Sequence, residues 1–102
     1  DPIFNESGNG LKNDMYSIAM AYQDRQPHSG TRQFFFNMDD NDHLNPGREW
    51  GFAVFGNVMD GYDTLDKIMA VKTGFNEKIG YDFVPKEPVV ILNIKLLEQV
   101  PL

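Results

Sequence analysis

The stretch Gln33-Phe34-Phe35-Phe36-Asn37-Met38 constrains this chain more than any other. Three consecutive phenylalanines suit a pleated, half-buried surface, and with period two the run has two faces. Phe34, Phe36 and Met38 lie on one face and are expected to be core, while Gln33, Phe35 and Asn37 lie on the other. An aromatic between two amides has two readings. Either the strand is buried on both faces, or this side forms a small site for an uncharged, partly apolar ligand.

The neighbouring segments predict what this strand packs with. Residues 15–22 alternate Tyr16, Ile18, Met20 and Tyr22 with Ser17, Ala19 and Ala21, which predicts a strand with one bulky face and one face flat enough for close approach. Residues 52–58 predict a third strand, in which Gly56 marks a bulge or a close backbone approach. Leu65, Ile68 and Met69 at i, i+3 and i+4 predict a helix over 62–70, opened by Asp60-Gly61. Residues 89–97 predict a last strand with Val90, Leu92, Ile94 and Leu96 on one face. Turn formers make 1–14 and 23–32 loops, 39–51 a loop or a single helical turn, and 72–88 an irregular connection carrying Gly74, Gly80, Pro85 and Pro88. Four strands and one helix describe a mainly β single domain. Its loops of ten or more residues are of a length that is often functional.

Composition removes several function classes. The 102 residues carry a net charge of −6 with no cluster of Lys or Arg, so no nucleic-acid partner is expected, because such binding needs clustered cations to displace counterions. No apolar run approaches the roughly 18 residues of a membrane span. The first residues lack a basic and an apolar region, so neither a membrane segment nor an unprocessed precursor is expected. With no cysteine there is no disulfide, thiol nucleophile or Cys-based zinc site. That composition fits the cytoplasm and the bacterial periplasm equally well.

The polar motifs do not assemble titrating chemistry. Asp39-Asp40-Asn41-Asp42 fails as a calcium loop, because the two possible registers put Leu44 and Trp50, or Asn45 and Gly51, where glycine and glutamate must stand. His28 and His43 lack partners at metal-ligand spacing, and Ser7, Ser17 and Ser29 lack a nucleophile-elbow context. Gly8-Asn9-Gly10 has no preceding strand and no third glycine, so it is not a nucleotide fingerprint. No metal or cofactor is implied. What remains is a non-titrating surface of Gln33, Phe35 and Asn37 with Ala19, Ala21 and Phe52. It would bind by shape and amide hydrogen bonds, which suits a peptide carrying a proline ring.

One ordered set of motifs then stands out. Ser17-Ile-Ala-Met-Ala21, Gln33-Phe34-Phe35, Asn41-Asp42-His43-Leu44, Gly51-Phe-Ala-Val-Phe-Gly56, Asp60-Gly61-Tyr62-Asp63 and Val84-Pro85-Lys86 follow one another as in a cyclophilin of the bacterial type, which this chain resembles from about Asn5 to Leu97. The resemblance implies a peptidyl-prolyl cis-trans isomerase acting in protein folding on proline-containing peptides or unfolded proteins. It implies that residues 1–102 are a partial domain: the C-terminal part of a closed eight-stranded antiparallel barrel, with one of its two helices. The N-terminal strands, the first helix and the Phe-His-Arg-Val-type motif with the catalytic arginine have no counterpart, so no catalytic residue is assigned in this chain.

For substrate binding the resemblance implies Phe35 as the wall of a proline pocket, with Leu44 and Phe52 beside it. Gln33 would hydrogen-bond the substrate, the Ala21-Tyr22 backbone would pair with it like an added strand, and His43 stands where many members have Trp or Phe. Phe52 itself replaces a His or Tyr common in the family. The expected partner is the missing N-terminal half of the barrel or another copy of the chain. Without the catalytic arginine the chain alone is expected to be weak or inactive as an isomerase. The alternatives are a non-catalytic proline-peptide binding module and a structural, swapped oligomer.

Overall fold

A computed structural model describes residues 1–47 and 49–97. They form two compact units, Asp1–Val58 and the residues from Met59 onward. The first is built on a three-stranded antiparallel sheet in the order β2-β1-β3, with β1 at Ser17–Met20, β2 at Phe34–Phe36 and β3 at Val54–Asn57. A 3-10 turn, Asp42–Leu44, interrupts the connection between β2 and β3. The ordered part of β1 is shorter than the alternation predicts, since Tyr16 turns the chain at φ 67°.

Register decides which side chains share a face. Ala19 lies opposite Phe35 on β2 and Val54 on β3, so these three point the same way, together with Ser17 and Asn37. This is the buried face: Ser17 and Ala19 are fully buried, Asn37 is 1% exposed and Val54 2%. The other face carries half-buried Ile18, Met20 and Phe36 with exposed Phe34 and Phe55. The expected sidedness is therefore reversed. The small residues of β1 do not present an open floor; they admit a covering of loop amides, in which Asn13 bonds down onto Asn37, which in turn bonds Ser17. Asn37 belongs to that interior rather than to a ligand surface.

Gly56 does mark a bulge. Ile18 pairs with Gly56 and Ala19 with Val54, leaving Phe55 as the extra residue. A Cβ at Gly56 would meet only Ile18 Cδ1 at 3.8 Å, so close approach is not the reason for glycine there. The extra residue turns Phe55 to the open face, where its ring lies edge-on to Phe34 at 6.4 Å.

The second unit holds the helix α1, Tyr62–Met69, and a hairpin of β4, Thr73–Asn76, with β5, Tyr81–Pro85. Gly61 enters the helix at φ +95°, a conformation that favours glycine, and its N–H donates to Asp60 Oδ1 at 2.8 Å. Leu65 is buried and Ile68 half-buried, but Met69, in the last turn, is 69% exposed and does not join them.

The hairpin corrects the irregular connection expected over 72–88. Its loop is closed by side-chain chemistry: Asn76 Oδ1 accepts from Lys78 N at 2.9 Å and Ile79 N at 3.3 Å, and Gly80, at φ +73°, donates to Asn76 O at 2.7 Å. Pro85 is tolerated at the end of an edge strand, where no partner needs its missing N–H.

The strand expected over 89–97 does not form. Leu92 is 92% and Leu96 99% exposed, and no ladder pairs this segment among the described residues. Alternation supplies a face but not the neighbouring backbone that a strand requires. The described strands therefore number five, in two separate sheets, and do not close a barrel. The described residues are mainly β with one helix, as the resemblance implies.

Candidate functional site

The first unit brings three aromatic rings together. Phe52, just before β3, stacks on Tyr22 with centroids 4.3 Å apart and planes at 14°, and meets the edge of Phe35 at 5.4 Å and 83°. All three are half-buried. Phe35 comes from the buried face of β2, Tyr22 from the chain leaving β1, and Phe52 from the loop between the 3-10 turn and β3. Offset and edge-on rings of this kind present a flat apolar step, suited to a compact ring or methyl group.

Leu44 is tied to this step through its backbone. Its carbonyl accepts from Phe52 N at 2.9 Å and from Asn13 Nδ2 at 3.2 Å. Gly51 makes the approach possible, because a Cβ there would lie 2.5 Å from both Leu44 O and Pro46 N. A second set of bonds holds Gly51 from the other side: its N–H donates to Ser7 Oγ at 3.1 Å, and its carbonyl accepts from Asn5 Nδ2 at 2.8 Å. Asn5 Nδ2 also donates to Pro27 O at 3.2 Å, and Asn5 N to His28 Nδ1 at 3.0 Å. The loop after β1 and the approach to β3 are thus fastened to one buried asparagine.

The remaining expected residues sit at the margin. Gln33 is exposed beside Phe34, and its carbonyl accepts from Ala21 N at 2.8 Å. That bond already engages the Ala21 N–H inside the sheet, so this donor is not available to an added strand. His43 is exposed in the 3-10 turn, next to Leu44. Trp50 belongs to a different aromatic group, edge-on to His28 at 4.7 Å and to Phe4 at 5.7 Å. A cleft lined by Ile3, Met20, Tyr22, Pro27, Val54 and Phe55 shares only Tyr22 with the ring trio.

Tyr22 connects these parts electrically. Its hydroxyl donates to Trp50 O at 3.3 Å, and its pKa is raised above the ordinary tyrosine value by partial burial first, then by the negative charges of Glu49 and Asp24. The phenol is therefore neutral, a donor at the rim of an otherwise apolar step. Two residues beside these rings escaped the sequence reading: the ring of Tyr22 and Asn13. Tyr22 was expected to contribute backbone alone, no pattern local to Asn13 distinguishes it from loop residues, and Gly51 was read only as the start of a motif.

The mainly β fold and the order of motifs agree with a family match. Residues 1–96 match the family described as cyclophilin type peptidyl-prolyl cis-trans isomerase/CLD. The chain belongs to this family. It is 49% identical over 100 residues to peptidyl-prolyl cis-trans isomerase cyp18 of Streptomyces antibioticus, covering 94% of this chain and 58% of that protein. It is 46% identical over 102 residues to isomerase B of Escherichia coli strain K12, covering 96% and 60%, and 42% identical over 100 residues to isomerase A of Dickeya dadantii strain 3937, covering 96% and 50%. The chain thus spans between half and three fifths of the length of these relatives.

Proposed function

We propose that this chain supplies one wall of the proline site of a peptidyl-prolyl cis-trans isomerase, acting on proline-containing peptides or unfolded proteins. The observation that carries the reading is the step formed by Tyr22, Phe52 and Phe35, in a chain of this family, with Leu44 fastened alongside. Rotation about the bond preceding proline is slow because amide resonance imposes a barrier of about 18–20 kcal/mol. Lowering it needs no nucleophile. It needs a surface that holds the ring, donors that hold the preceding carbonyl, and a cation near the prolyl nitrogen as that atom becomes pyramidal.

The chain's own residues supply the first two. Phe35, Phe52 and Leu44 receive the ring, and exposed Gln33 donates to the peptide. Tyr22 bounds the step as its outer ring. Arg25, Arg32 and Arg48 stand outside the family's arginine motif, so the cation comes from the N-terminal strands of a closed barrel. The open face of Ile18, Phe34, Phe36 and Phe55 is where those strands pack, whether from adjoining sequence or from a second chain.

Proline-isomerisation kinetics test this directly. The chain alone should bind a short Ala-Pro peptide, with perturbed Phe35 and Phe52 signals in NMR spectra, while accelerating isomerisation little. Mixing with an N-terminal complement taken from one of the relatives should restore acceleration. Peptide binding that leaves Phe35 and Phe52 unmoved would sink the assignment.

A further inference from the structure

The ring trio does not hold itself. Behind it lies a lattice of buried amides centred on Asn13, which is completely buried. The two hydrogens of Asn13 Nδ2 are shared among Leu44 O at 3.2 Å, Phe52 O at 3.1 Å and Asn45 Oδ1 at 3.1 Å. Its backbone N–H donates to the same Asn45 oxygen at 2.7 Å, and its carbonyl accepts from Asn41 N at 2.8 Å. Its own Oδ1 accepts from Asn37 Nδ2 at 3.0 Å, and Asn37 stands two residues after Phe35 on the same face of β2. One side chain thus reaches all three segments that carry the proposed pocket wall.

We propose that Asn13 is the positioning residue of this site, an amide that sets the spacing between Leu44, Phe52 and Phe35 without touching the substrate. The inference rests on the reading of those three residues as the proline-binding wall. Its chemistry is specific, because the position needs a donor for two backbone carbonyls and an acceptor for Asn37 at once. Only a primary amide of this length offers both. At Asn45 the requirement is narrower: the lattice uses its Oδ1 solely as an acceptor.

These requirements separate isosteric variants. Asn13→Asp keeps the shape but removes both donors and sets a carboxylate against two carbonyls. It should weaken binding of a short Ala-Pro peptide by about tenfold, the factor that corresponds to one lost buried hydrogen bond, and move the Leu44 methyl and Phe52 ring signals. Asn45→Asp keeps the acceptor and should bind like the unaltered chain, whereas Asn45→Ala should bind several-fold more weakly. Asn9→Ala removes bonds to Val54 O and from Leu11 N, neither of which engages Leu44, Phe52 or Phe35, and serves as control.

Affinities are compared where unfolding curves show each variant fully folded, so a purely structural loss does not register. Equal affinity for Asn45→Ala and Asn45→Asp, or Leu44 and Phe52 signals unmoved in Asn13→Asp, overturns the proposal. If Asn13→Asp does not fold, the Asn45 pair decides alone. If the unaltered chain binds no proline peptide, the proline reading fails, and the positioning claim is decided by whether Asn45→Ala moves Leu44 and Phe52 while Asn45→Asp and Asn9→Ala do not.

Discussion

Gly51 shows how little room the site leaves for change. Any side chain there meets Leu44 O and Pro46 N at 2.5 Å, closer than nonbonded atoms tolerate, and both neighbours are backbone. Gly51→Ala should cost about 1–3 kcal/mol of stability in denaturant unfolding and displace Phe52 from the ring stack. Phe52→Ala removes the ring between Tyr22 and Phe35, and peptide affinity measured by titration should fall by about tenfold or more. Tyr22 gives a pH dependence whose sign follows from its raised pKa. The folded state holds the phenolic proton longer than the unfolded state, so this contribution is present below the ordinary value of about 10 and is lost as pH rises from there through the higher folded value. Stability of Tyr22→Phe should lack that alkaline decline. Motif order singled out Phe35, Phe52 and Leu44, which the structure groups together, because each motif is local. Asn13 was not, since what it does depends on carbonyls 31 and 39 residues away, and although Gly51 stands in a motif, its close approach to Leu44 O and Pro46 N is not readable from that motif.

Among the elements, β1, β2, β3 and α1 were readable because each carries its own periodicity, 2 or 3.6, over several residues. The hairpin β4–β5 was not. Gly74, Gly80 and Pro85 look like breakers one at a time, yet Asn76 and Gly80 together are the chemistry of a closed loop. Gly80→Ala forces a β-carbon into φ +73° and should cost about 1 kcal/mol, seen as faster amide exchange at Lys86, whose N–H bonds Lys72 O across the hairpin. The opposite error occurred at 89–97, where strong alternation produced no strand. The face assignment of β2 failed for a related reason. Period two says that two faces differ, and only the covering layer says which is inside.

The molecule as a whole leaves aromatic surface uncovered. Phe34 and Phe55 are 37% and 56% exposed on the same side of the sheet, in edge contact with each other. Contiguous exposed apolar surface of this kind drives association in water. The chain should self-associate as its concentration rises, and replacing both residues by serine should shift sedimentation toward monomer while leaving the Tyr22 and Phe52 stack intact. A monomer at every concentration for the unaltered chain would contradict the proposed barrel complement.

The interior behind the aromatic step is assembled from Asn13, Asn37, Asn41, Asn45 and Ser17, with no charged side chain among them. Neutral amides neither gain nor lose protons near neutrality, and their hydrogen bonds are not weakened by a surrounding ion atmosphere as exposed ion pairs are. A protein of net charge −6 will change its surface field with every shift of pH or salt. The grip on an uncharged ring that we propose for it should not change with it, so one site geometry would serve across a wide range of pH and salt.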